Sequence, residues 1–144
     1  MLGESPSPGL VHEADLMLRT LLRDLGEVPG VSCVTTRDHR LPPLSGVECL
    51  TAEPGESPQG LYRRGVVHAD AVWPTAPETG GALEQLGRTV LDGGRRLLGT
   101  HPDTVRVTAG RRATAIALAR AGVPVVPTFA FVDGATREPD AVCV

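Results

Sequence analysis

Lysine and asparagine are missing from this 144-residue chain, so all 14 of its basic residues are arginines. The bias reads as the codon usage of a GC-rich genome. It has one chemical consequence, because no lysine is present to contact a phosphate. Aromatic residues make up 3% of the sequence, which leaves Leu, Val and Ala to build the core. No run approaches the roughly 20 apolar residues of a membrane-crossing helix. The opening MLGESPSPGL places an acid and two prolines where a signal peptide has basic and then apolar residues. A cytoplasmic protein with no membrane partner is the expectation. A net charge of −3 and a pI near 5.8 provide no basic stripe for nucleic acid. Cys33, Cys49 and Cys143 are odd in number, widely spaced and without a CxxC pair, so reduced structural thiols are expected rather than a disulfide or a zinc site. His12, His39, His68 and His101 are scattered, none at i, i+4, and none is given a role.

What is there is the composition of a globular domain, 41% hydrophobic and 22% charged, and long enough to bury a core. Residues 1–9 are rich in Pro, Ser and Gly and read as a flexible tail. Leu10, Ala14, Met17, Leu18, Leu21, Leu22 and Leu25 then recur at helical steps, predicting an amphipathic helix that ends near Gly26. VSCVTT (31–36) reads as a strand, RDHRLPPLSG as a loop, and VECL (47–50) as a short second strand. AEPGESPQG reads as a surface connection and LYRRGVVH as one or two helical turns. Residues 69–76 (ADAVWPTA) read as a buried strand with Trp73 inside the sheet, its end limited by Pro74. After a turn at 77–81, a helix places Leu83, Leu86, Val90 and Leu91 on one face and stops at Gly93-Gly94. RRLLG (95–99) is a short strand. A short helix starts at His101-Pro102-Asp103, with Pro102 first and Thr100 as cap. Residues 111–121 form an Ala-rich helix closed by Gly122. VPVVPTFAFV (123–132) is strand-like, and AVCV (141–144) starts another strand. Strands alternating with helices on short links predict an α/β fold with a mainly parallel sheet. An opening helix where such domains begin with a strand is the odd feature.

Ligands of open α/β sheets bind beyond the carboxyl ends of the strands. Two places qualify. In the turn 77–81, Thr79 can cap the following helix, Gly80 and Gly81 let a ligand approach the backbone, and Glu78 can meet an amine. The same residues also suit a capped turn with an acid near the positive end of a helix. At Gly110-Arg111-Arg112, arginines face the unfavourable end of a helix dipole, which suits an anion recruited there or a plain surface salt bridge.

The stretch 95–128, which contains RLLGTHPDTVRVTAGRRATAIALARAGVPVVPT, resembles the crossing into the ATP-grasp domain of biotin carboxylases and related ligases. Arg111 stands in that family's Lys/Arg position, and Gly122-Val123-Pro124 follows at the family's spacing. Gly110 replaces the usual acid or serine. HEADLMLRTLLRDLGEVPGVSCVTTRDHRL and ADAVWPTAPETGGALEQL resemble the tyramine–glutamate ligase group of ATP-grasp proteins, linked to methanofuran and tetrahydromethanopterin biosynthesis. The Ala-Pro-Glu-Thr run after a hydrophobic strand is the most specific feature.

The resemblance implies a Rossmann-like, three-layer pre-ATP-grasp domain over residues 10–100, lacking its first strand, with linker helices and the first ATP-grasp strands over 101–144. It implies that Glu78, Thr79, Gly80 and Gly81 face substrate and that Arg111 contacts nucleotide phosphate, with no catalytic residue and no metal ligand in this chain. The family chemistry is ATP-dependent ligation of a carboxylate to an amine. ATP and Mg²⁺ belong to the full-length family member, with none expected for this chain alone. The implied partners are a C-terminal ATP-grasp domain, small carboxylate and amine substrates, and a second copy of the chain where a bare sheet edge seeks pairing. A stand-alone flavodoxin-like binding or interaction module, working with a separate ATP-grasp subunit, is the alternative reading.

Overall fold

The N-terminal amphipathic pattern folds into α1 (Pro8–Gly26) in the computed structural model, which describes residues 8–77, 79–127, 131–132 and 135–136. The inward side of α1 is narrower than its periodicity predicts. Leu22 is buried and Leu18, Leu21 and Leu25 are half-buried, whereas Ala14 and Met17 are exposed. From that inner side Asp15 binds Arg37, whose side chain is only 4% exposed (2.8 Å). Arg37 also donates through Nε to the Pro42 carbonyl (2.5 Å). This cation, read in sequence as part of a polar loop, is a buried tie within the first unit.

β1 (Val34–Thr36) and β2 (Glu48–Leu50) pair in parallel, Val34 opposite Glu48 and Thr36 opposite Leu50. α2 (Pro58–His68) is a helix of three turns, longer than the sequence reading allowed. Its start lies inside the supposed surface connection. Ser57 accepts a hydrogen bond from the Gly60 amide (3.0 Å), and Pro58 occupies the first turn. Gly65 lets α2 lie close on β1, since a Cβ there would sit 3.1 Å from Thr36 Cγ2. Cys33 and Cys49 are free thiols; Cys143 lies outside the described residues.

The chain divides into two compact units, Met1–Ala69 and Asp70–Val144. In the second, β3 (Ala71–Val72) pairs in parallel with β4 (Arg96–Leu97). Between them runs α3 (Ala82–Asp92), and after β4 come α4 (Pro102–Thr108) and α5 (Arg111–Arg120). α4 packs against both α3 and α5. β5 (Phe131–Val132) and β6 (Ala135–Thr136) pair antiparallel. The fold is thus mixed α/β with short parallel strands, and among the described residues the parallel pairs form two two-stranded sheets.

Three expectations are corrected. The strand read over 69–76 contains only two paired residues, and Trp73 is 53% exposed rather than inside a sheet. Pro74 lacks an amide to extend the ladder, so the chain leaves it directly after Val72. Leu91, assigned to the buried face of its helix, is exposed. Residues 123–127 have no regular structure, because Pro124 and Pro127 cannot donate to a ladder. The remainder of that reading at 128–130, the strand at 141–144 and most of the N-terminal tail lie outside the described residues. Among the described residues, no helix is long and apolar enough to cross a membrane.

Candidate functional site

Because β3 and β4 run parallel, the loops that leave them emerge at the same edge. The ladder there is closed by the Arg96 amide donating to the Asp70 carbonyl (3.3 Å) and the Leu98 amide to the Val72 carbonyl (2.8 Å). Residues 73–77 then lead without regular structure toward a 3₁₀ turn (Thr79–Gly81) and α3. Gly80 (φ 68°) and Gly81 (φ 72°) are both left-handed. A residue with a Cβ would pay about 1–2 kcal/mol at each. An ideal Cβ at either position meets nothing within 4 Å, so conformation rather than crowding requires glycine, and the backbone stays open to approach. The cap of α3 differs from the expected Thr79. Gly81 holds that position and offers no side-chain acceptor, because the 3₁₀ turn carries the chain two residues further before α3 begins. Glu78 lies outside the described residues.

The start of α3 is held by a tight seam with α4. Val90 and Pro102 are fully buried and Val105 nearly so. A Cβ on Gly87 would lie 3.1 Å from Pro102 Cγ, so glycine permits the close approach of the two helices. Above the seam Arg88 binds both Glu84 (2.9 Å) and Asp103 (2.8 Å), and Arg106 adds a second contact to Asp103 (3.3 Å). The hydrogen bond from Arg88 holds the Asp103 carboxyl below its usual range. His101, not Thr100, caps α4, with Nδ1 accepting from the Asp103 amide (3.3 Å). Position 101 directly precedes Pro102 at the first turn, which places its side chain at the cap.

Arg111 begins α5 behind Gly110, the cap residue, which has no side chain to serve the free amides. Arg111 and Arg112 are exposed, and the first turn contains no acid. Arg111 makes no ion pair among the described residues. Thr114 Oγ1 ties the turn down by donating to the Gly110 or Val107 carbonyl (3.0 and 3.2 Å). At the other end Gly122 (φ 73°) closes the helix as expected: its amide bonds to Ala119 and the Val123 amide to Leu118, both at 3.0 Å.

The structure therefore places Thr79, Gly80 and Gly81 at the start of α3 and Arg111 at the start of α5, in one unit. No hydrogen bond or ion pair joins Arg111 to the turn among the described residues. Two residues at the carboxyl edge escaped the sequence reading, Trp73 and His101. The prolines that follow each were the available signals. In the first unit a shallow groove of about 540 Å³ is lined by Leu50, Arg63, Arg64, Val67 and His68, none of them singled out in sequence. No group of three or more His, Cys, Asp or Glu suited to a metal occurs among the described residues.

The family model of the pre ATP-grasp 3 domain matches residues 31–105, just over half of the 144-residue chain. The match takes in both parallel pairs, the glycine turn and α3, and ends before Arg111. No curated protein and no solved structure matches the chain.

Proposed function

The chain belongs to the pre ATP-grasp 3 domain family, and from that premise we propose that it is the N-terminal, substrate-side portion of an ATP-dependent carboxylate–amine ligase. The observation that carries the reading is the turn after β3. A parallel strand runs into two consecutive left-handed glycines and an uncapped helix start, which is where open α/β sheets take ligands. Amides at such a start favour a carboxylate. Thr79, Gly80 and Gly81 line this wall, with Glu78 beside them for the amine. The finer placement, in the tyramine–glutamate ligase group with a Rossmann-like three-layer domain, rests on the Ala-Pro-Glu-Thr run and its context.

Arg111 contributes a phosphate contact in this reading. Its guanidinium is exposed at a helix N-terminus with no acid in the first turn, a combination that suits an anion. ATP is the co-substrate, and a downstream ATP-grasp domain provides the remaining contacts. The described residues contain no carboxylate cluster fit for Mg²⁺, so no step is assigned to that ion here.

The test uses this chain joined to its ATP-grasp domain. Gly80→Val and Gly81→Val should raise KM for the carboxylate or amine while leaving KM for ATP within about twofold, since the distortion of roughly 1–2 kcal/mol is confined to the turn. Arg111→Ala should weaken ATP roughly tenfold or more, the range of one charge-assisted contact. Glycine variants that alter only ATP kinetics would place the substrate elsewhere.

A further inference from the structure

The face of β3–β4 turned away from α3 has no covering layer among the described residues. Leu97 points to α3, 3.8 Å from the Cβ position of Gly87. Strand alternation then sends Ala71 and Trp73 of one strand, and Arg96 and Leu98 of the other, to the opposite face. There Trp73 is 53% and Leu98 40% exposed, and Arg96 is exposed without an ion pair among the described residues. Parallel sheets are ordinarily covered on both faces. The small Ala71 leaves a helix room to approach between the aromatic ring and the guanidinium.

The outer side of α1 has the complementary pattern. Glu13, Leu16, Met17 and Thr20 follow the i, i+3, i+4, i+7 steps of one helical stripe. Leu16 is 52% and Met17 59% exposed, opposite the stripe that carries Leu18, Leu22 and Leu25 inward. Glu13 is exposed and makes no ion pair among the described residues. Asp24, further along the outer side, is already paired with Arg23 (2.9 Å). Two apolar side chains and one unpaired acid on a helix thus face the needs of two apolar side chains and one unpaired cation on a sheet.

We propose that two copies of this chain associate reciprocally, the outer stripe of α1 in each covering the open β3–β4 face of the other. Leu16 and Met17 seat against Trp73 and Leu98, and Glu13 pairs with Arg96. Because the contact is made twice, each unpaired charge finds its partner and the arrangement closes as a dimer. The inference is independent of the ligase reading, since it uses neither the glycine turn nor Arg111.

Trp73 is the chain's one tryptophan, so its fluorescence reports on that face directly. Sedimentation equilibrium of the 144-residue chain should show a monomer–dimer equilibrium with a dissociation constant on the order of micromolar. Acrylamide quenching of Trp73 should fall as the dimer forms. Arg96→Glu and Glu13→Arg should each weaken the dimer about tenfold or more, because like charges then oppose each other at both contacts. An equimolar mixture of the two variants should restore association, as each contact regains opposite charges. That recovery also shows that both variants fold. A monomer at every concentration would overturn the proposal, whether Trp73 is open or is shielded from within the chain. A dimer indifferent to both charge reversals would overturn it too.

Discussion

α3 and α5 are of nearly equal length, 11 and 10 residues, and each starts behind a glycine that provides no side-chain cap. They are held in different ways. α3 buries Gly87 and Val90 against α4 and carries an ion-pair cluster across the seam, whereas α5 buries none of its residues. What holds α5 is local: alanine-rich propensity, the Thr114 hydroxyl at its start and the Gly122 closure at its end. The difference teaches which half of the proposed site is built in advance. The glycine turn sits on a helix fixed by packing, so its geometry precedes any ligand. Arg111 sits on a helix whose apolar side chains remain available, and its final placement in the ligase depends on what packs there.

Core truncation should expose that contrast most strongly. Val90→Ala removes two methyl groups from a fully buried site and should cost about 2–3 kcal/mol in urea unfolding. Leu118→Ala on α5, where Leu118 is 40% exposed, should cost under about 1 kcal/mol despite deleting a larger group. Equal losses would erase the distinction between the helices. Filling the seam comes next. Gly87→Val drives a branched side chain into the buried Pro102 and should destabilise by roughly 1–3 kcal/mol.

α5 should answer instead to backbone terms. Gly122→Ala forces a Cβ into φ 73°, and Ala113→Gly lowers helix propensity at an exposed site; each should cost about 1 kcal/mol. The loss should appear as faster amide exchange within residues 111–120, with the α3–α4 seam unchanged. The smallest effect concerns pH. Arg88 depresses the Asp103 carboxyl, so the stabilisation is present above the ordinary value of 3.8 and is lost as pH falls through the lower folded value. Between pH 8 and 5 this pair should give a flat stability curve. Arg88→Ala should shrink the decline below about pH 4, and thermal melts across that range would measure it.

Legibility in the sequence followed the same division. Elements made by local terms were readable: α1 from its leucine steps, α4 from Pro102, α5 from its alanines with Gly122. α2 was cut short because the acidic, Pro-containing run hid a Ser-Pro helix start inside what looked like a connection. Long-range partners were not readable. Arg37 is buried because Asp15 lies 22 residues earlier, and no local pattern announces that pairing. Trp73 misled for the opposite reason: a hydrophobic run predicts burial, but a ladder that ends after Val72 leaves the ring outside. Of the site, the glycine turn was legible because left-handed backbone demands glycine. The cap at Gly81 was not, since the 3₁₀ turn that shifts it has no signature beyond the same glycines. Glu78 lies outside the described residues, and Arg111 rests on the resemblance and on its unaccompanied place at the start of α5.

The central claim is that this chain forms one wall of a ligase site and brings a single phosphate contact, not a nucleotide pocket. One partly exposed, charge-assisted contact contributes roughly 1.5–3 kcal/mol, and millimolar binding already takes about 4 kcal/mol. Calorimetric titration of Mg²⁺·ATP into residues 1–144 is the most direct test. The account predicts no saturable binding below millimolar concentration. Micromolar binding by the chain alone would contradict it and identify a self-contained nucleotide-binding module.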